Sequence, residues 1–324
     1  MSLWRRISAG LPGSATSDGP PRHWIKNEIA SLDPEVDFAR IVRLTTARLL
    51  RPPSLAAIHL AYVLGFVRFA GPPVSARSVD RDNTGYTYSH GWQRADETMV
   101  YLFDWIDNGI DSERSQAEAR KVQQWHLSVA QNWPMPANTY QHSAAAFVLL
   151  FDRLLTQVIG AEGLTETERR AQLIHWTKVS HAMGMRDIPS SWEGMVELLE
   201  RYETPGVEFN YSKEGNRLAT NLVDQWATRF FPKGFHWMGR WLCIALIEDH
   251  IVECLEMPRP PAPFIRLTRR IARALLWLGD RYAPDPPKIP QFGSYLRDHP
   301  ASALRRRQEV PEYAPAGSLS AAQE

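Results

Sequence analysis

Residues 94–133 read RADETMVYLFDWIDNGIDSERSQAEARKVQQWHLSVAQNW, and their punctuation is that of two helices joined by a tight turn. The first runs from about Arg94 to Trp105 and closes at Asn108-Gly109, a pair that tolerates the backbone found at helix ends. Asp111 or Ser112 opens the second, which continues through Glu118, Arg120 and His126 towards Trp133, ahead of Pro134 and Pro136. On the first helix Arg94, Glu97, Thr98, Tyr101 and Trp105 recur at offsets of three and four, so they share a face. On the second, His126 stands four residues after Val122, three before Val129 and four before Ala130, which puts an imidazole on the apolar stripe.

The same signals extend in both directions. Asp33-Pro34 opens a helix towards Leu50, and Pro52-Pro53 stop it. Ser54 caps an apolar helix that Pro72-Pro73 end, and Val74 to Gly91 reads as an irregular connection of a length that often carries function. Ala137 to Ile159 is apolar, Thr165 with Glu168 forms a capping box for a helix through His175 and His181, and Pro189-Ser190-Ser191 begins another towards Glu203. Further helices fall near 216–229, 237–255 and 265–282. Alternating strand patterns are nearly absent, so the fold class is all-α: one large helical domain over 33–283, between a poorly ordered segment 1–32 and a Pro/Arg/Ala-rich tail 284–324.

Composition narrows the function. In 324 residues, 37 Lys+Arg stand against 36 Asp+Glu, and no basic block exceeds three residues, which disfavours a nucleic-acid partner. A hydrophobic fraction of 44% suffices for a core that encloses a ligand. Two cysteines make neither a disulfide framework nor a four-cysteine zinc site. Cys243 and Cys254 read as members of one helix, about 16 Å apart, too far for a disulfide. A reducing, cytoplasmic setting is the expectation, and the basic N-terminal residues lack the apolar segment of a secretory signal. Ser54 to Gly71 contains His59 and Arg68 and is short for a membrane span; a peripheral membrane contact, there or through the basic amphipathic stretch Ile265 to Leu278, stays open. Oligomeric state is not legible.

Motif tests remove several chemistries. Glycine-rich phosphate loops, His-Glu-x-x-His, paired Glu-x-x-His and Gly-x-Ser-x-Gly are all absent, and without Cys-x-x-Cys-His a haem would be held non-covalently. His126 is then either a core histidine bonded to a carbonyl or carboxylate, or a metal ligand whose other nitrogen is so held. Arg94, Glu97 and Thr98 either form a polar patch within an apolar cavity, or Asp96 and Glu97 simply complement the helix dipole. His175 and His181 lie on nearly opposite sides of their helix. Tyr140 and His142 precede a long apolar helix, where one or both face a cavity or are satisfied core groups. His250, beside Glu248 and Asp249, is solvent-facing or salt-bridged.

Arg120-Lys-Val122-Gln-Gln-Trp-His126 resembles the Arg-x-Val-x-x-x-His segment of the MpaB-type oxygenases, whose other branch is the rubber oxygenases called latex-clearing proteins. Arg94-Ala-Asp-Glu97-Thr98 resembles the Arg-x-x-Lys/Arg-Thr segment before it. Gly163 to Glu168 with His175-Trp176, and Gly184 to Glu193, resemble later segments in the same order. The resemblance implies a globin-like helical core around a b-type haem, with His126 as proximal iron ligand and Arg120, Val122, Tyr101 and His142 as further cofactor contacts. It also implies a distal side bearing Arg94, Glu97 and Thr98, where dioxygen and a lipophilic, alkene- or isoprenoid-containing substrate would meet. Two departures stand out: Glu97 replaces a lysine of the rubber-oxygenase branch, and no residue of the Val74–Gly91 loop matches that family's proposed catalytic glutamate. A helical haem or lipid carrier without turnover is the competing expectation.

Overall fold

The computed structural model describes residues 23–51 and 54–300, and among these every regular element is helical. In chain order the α-helices are α1 (Trp24–Ser31), α2 (Phe38–Leu49), α3 (Leu55–Phe66), α4 (Pro73–Asp80), α5 (Tyr86–Ser89), α6 (Gly91–Asn108), α7 (Glu113–Ala130) and α8 (Ala137–Arg153). They continue as α9 (Glu166–Ala182), α10 (Trp192–Tyr202), α11 (Lys213–Phe230), α12 (His236–Ala245), α13 (Asp249–Cys254), α14 (Ala262–Tyr282) and α15 (Phe292–Asp298). A 3-10 turn, Val67–Ala70, extends α3, and a π-helical turn, Leu154–Ile159, extends α8.

Side-chain caps set many of the starts. The hydroxyls of Ser54, Ser112, Thr165, Ser191 and Ser212 accept backbone N–H groups at the heads of α3, α7, α9, α10 and α11, each contributing about 1 kcal/mol. The Thr165–Glu168 capping box is complete, and the Glu168 carboxylate also takes Thr45 Oγ1 at 3.0 Å and Arg48 at 2.8 Å, which ties α9 to α2. Helix α11 packs against α3, α4 and α12, and α8 lies against α9 and α10. Between them Ile41, Ile58, Leu149, Met195, Leu199 and Leu222 are fully buried.

Four expectations change. Helix α2 starts at Phe38, because Asp33 uses its carbonyl to close a separate turn through the N–H groups of Val36 and Asp37. The Val74–Gly91 stretch is largely helical, forming α4 and α5 around three consecutive left-handed residues, Arg81, Asp82 and Asn83. The Asp80 carboxylate holds that corner by accepting from Asn83 N, Tyr88 Oη and Arg217. The single helix expected over 237–255 is broken into α12 and α13 at Leu246–Glu248, where Glu248 turns inward to Arg68 and Arg153; both cysteines are free thiols. Finally, the stretches expected to be loosely ordered contain α1 and α15. Trp24 Nε1 donates to the Pro286 carbonyl at 2.9 Å, and Phe292 is fully buried against Phe103. Gly293 passes so near α6 that a Cβ there would lie 2.0 Å from Asp104 Oδ1. The remainder of those expectations, 1–22 and 301–324, lies outside the described residues.

A buried ionic network runs through the centre. Glu203, at the end of α10, accepts from Arg68, from His142 Nε2 at 2.8 Å and from His250 Nε2 at 2.8 Å, while Arg68 also reaches Glu248. Burial pushes the Glu203 carboxyl up, but Arg68 and the two imidazole hydrogen bonds outweigh it and hold it well below the usual carboxylate range. Arg68→Met would leave two buried carboxylates facing each other. We expect a loss of about 3–5 kcal/mol, measured by urea unfolding.

His175 is the opposite case. It is fully buried on α9, and neither ring nitrogen has a hydrogen-bond partner among the described residues. Burial pushes its imidazole down to about 3 from 6.5, so between those limits only the unfolded chain binds the proton. The neutral imidazole's contribution is whole above pH 6.5 and is lost as pH falls towards 3, on the order of 5 kcal/mol in all. His175→Leu should flatten that acid limb in stability measured against pH and raise stability at neutral pH by removing two unpaired polar atoms. An unaltered acid limb would contradict this account.

Candidate active site

Helices α6, α7 and α8 face one another across a cavity of about 210 Å³, closed by the α3 extension, α4, α5 and α11. A single buried water needs roughly 10–15 Å³ by the same measure, so this space suits a ligand rather than stray solvent. Its walls are mainly apolar and aromatic, with Phe66, Phe69, Trp105 and Phe147 among them. Met183 and Met185, from the turn after α9, add adaptable thioether surface.

His126 enters this cavity from α7, flanked by Val122 one turn before and Val129 one turn after. Its ring lies 6.3 Å from that of Tyr140, and no hydrogen bond engages either nitrogen among the described residues. Burial, and then the charge of Arg94, push the imidazole below its ordinary range, so at neutral pH it is uncharged and carries a free lone pair.

From α6 come Arg94, Thr98 and Tyr101, each lining the cavity. Arg94 Nη1 donates to Tyr62 Oη at 2.8 Å, its guanidinium lies 6.0 Å from the Phe66 ring centre, and among the described residues no carboxylate lies within ion-pair distance of it. Thr98 Oγ1 donates to the Arg94 carbonyl at 2.7 Å, leaving only its lone pairs for a ligand. A second cation, Arg81, reaches the cavity from the left-handed corner after α4, with Nε donating to the Ser78 carbonyl at 3.0 Å. Burial and Arg94 lower its guanidinium pKa.

Three residues expected at the site lie elsewhere. Glu97 is exposed and accepts from Gln93 Nε2 at 2.8 Å; one residue before Thr98, it is turned about 100° away around the helix. Arg120, two residues before Val122, is exposed for the same geometric reason. His142 is fully buried, stacked 4.4 Å from Tyr202, and committed to Glu203; it is Tyr140 that lines the cavity. Conversely, Arg81 and Tyr62 were not singled out from sequence. The unusually polar Val74–Gly91 stretch was the signal for Arg81, while nothing distinguishes Tyr62 within an apolar helix.

Among the described residues, fold and site define an all-helical body around a cavity with a neutral imidazole and two guanidiniums on mainly apolar walls. A family model described as ER-bound oxygenase mpaB/B′/rubber oxygenase, catalytic domain, matches residues 43–279, and the chain belongs to that family of oxygenases. A comparison with curated proteins gave no match.

The coupling between Arg94 and His126 is directly measurable. Arg94→Gln removes the positive charge that depresses the imidazole, so the His126 pKa should rise, read from its ring-proton NMR shift against pH. No movement would leave burial as the cause of the lowered pKa and remove the coupling.

Proposed function

We propose that this chain is a haem b-dependent oxygenase acting with dioxygen on a lipophilic, alkene-containing small molecule. The observation carrying this reading is the neutral imidazole of His126, unbonded among the described residues, in a mainly apolar cavity that also holds two guanidiniums with no carboxylate partner among those residues. A haem b asks for one axial donor with a free lone pair, flat apolar walls, and cations to offset two carboxylates. His126, the aromatic walls, and Arg81 with Arg94 fit these requirements in kind. When bound, the haem would supply the electron chemistry that activates dioxygen.

The chain's own contributions follow from its side chains. His126 offers a nitrogen that needs no deprotonation at neutral pH, so binding costs no proton release. Arg94, fixed at one nitrogen by Tyr62, keeps further N–H groups for negative charge that develops in the cavity. The Phe66, Phe69 and Phe147 walls exclude water and favour an apolar substrate. Glu97 is exposed and does not line the cavity, so this reading gives it no part in the chemistry.

The test is to produce the protein with haem available and record its visible spectrum, its iron content and its dioxygen uptake with lipophilic alkenes. A Soret band and stoichiometric iron are expected. His126→Ala should lower iron content at least tenfold while changing stability by less than about 1 kcal/mol. Glu97→Gln should leave content and spectrum unchanged. A wild-type chain without Soret band or iron would overturn the proposal; a haem-loaded chain that consumes no dioxygen with any such substrate would instead indicate a carrier.

A further inference from the structure

Helix α14 buries one narrow stripe against the body, with Ile265 and Thr268 inward and Arg269 donating to the Ala245 carbonyl. Its outer side carries a second apolar line. Leu267, Ile271, Leu275 and Leu278 follow at offsets of four, four and three and are 57%, 50%, 64% and 44% exposed. Scattered exposed leucines are ordinary, but four in register on one helix form a continuous patch.

A cationic line runs beside it. Arg266, Arg270, Arg273 and Arg281 are all exposed, and among the described residues none lies within ion-pair distance of a carboxylate. The acidic residue of this helix, Asp280, is engaged by Lys26 and Arg48. Half-exposed Trp277 sits within the cationic line. At the other end of the helix, Trp237 and Trp241 of α12 join Phe264 through ring contacts at 5.1 and 5.2 Å.

We propose that α14 is a docking surface for an anionic lipid bilayer. Its leucine line would enter the boundary between headgroups and acyl chains, its four arginines would meet anionic headgroups, and its indoles would lie at the polar interface. Charge complementarity selects this occupant. A second copy packed symmetrically on the same face would bring four further arginines against these four, whereas an anionic surface neutralises them. The inference is independent of what fills the cavity.

The experiment is flotation of the full chain with vesicles of phosphatidylcholine alone, or with about a third of phosphatidylglycerol. Binding should favour the anionic vesicles at least tenfold and weaken as salt rises. The double variant Ile271→Asp with Leu275→Asp should lose at least tenfold. Arg270→Gln with Arg273→Gln should lose about fivefold per arginine, on anionic vesicles only. Both pairs are exposed, so melting temperatures should stay at the wild-type value. Absence of wild-type binding to either vesicle overturns the proposal, as does binding that both double variants leave intact. A dimer in light scattering that the aspartate pair dissolves, without vesicle binding, would assign the face to copies of this chain instead.

Discussion

The rest of the molecule is arranged around one buried carboxylate. Glu203 is desolvated at the end of α10, where it remains charged only because Arg68, His142 and His250 converge on it. Those three partners come from the α3 extension, α8 and α13, and Arg68 recruits Glu248 and thereby Arg153. Apolar packing is non-directional and would tolerate a slide of one helix along another. A charged group with fixed hydrogen-bond directions does not, so these elements are held in register.

That register reaches the cavity directly. Arg68 stands between Phe66 and Phe69, both of which form cavity wall, and Phe69 meets His142 edge-on with ring centres 6.0 Å apart. The network therefore aims the aromatic walls without entering the cavity. Glu203 and Glu248 are engaged by Arg68 and Arg153, and Asp80 by Arg217, while among the described residues Arg81 and Arg94 have no carboxylate partner. A site prepared in this way spends no binding energy on breaking internal ion pairs.

Much of this was legible in sequence because it is local. The helix pair across Gly109, the Thr165–Glu168 box, and His126 on the stripe with Val122 and Val129 all follow from spacing, and all are present. Arg94, Thr98 and Tyr101 share their face as the offsets require. What spacing cannot give is how far round the helix that shared face extends, which is why Glu97 and Arg120 fall outside. Which of the two readings of His142 holds is not local either: its partner, Glu203, is 61 residues away, and only the tertiary fold brings them together. The break at Leu246–Glu248 has the same origin, since nothing local forbids a helix there and the distant Arg68 decides.

The bond from the Thr98 hydroxyl to the Arg94 carbonyl makes this wall sort ligands by hydrogen-bond sense. Arg94 can only give protons, and Thr98, its own proton already spent, can only take one. Two residues four apart on one helix thus present opposite polarity along a single line. A guest with an acceptor at one end and a donor at the other would meet complementary groups in one direction and not in reverse.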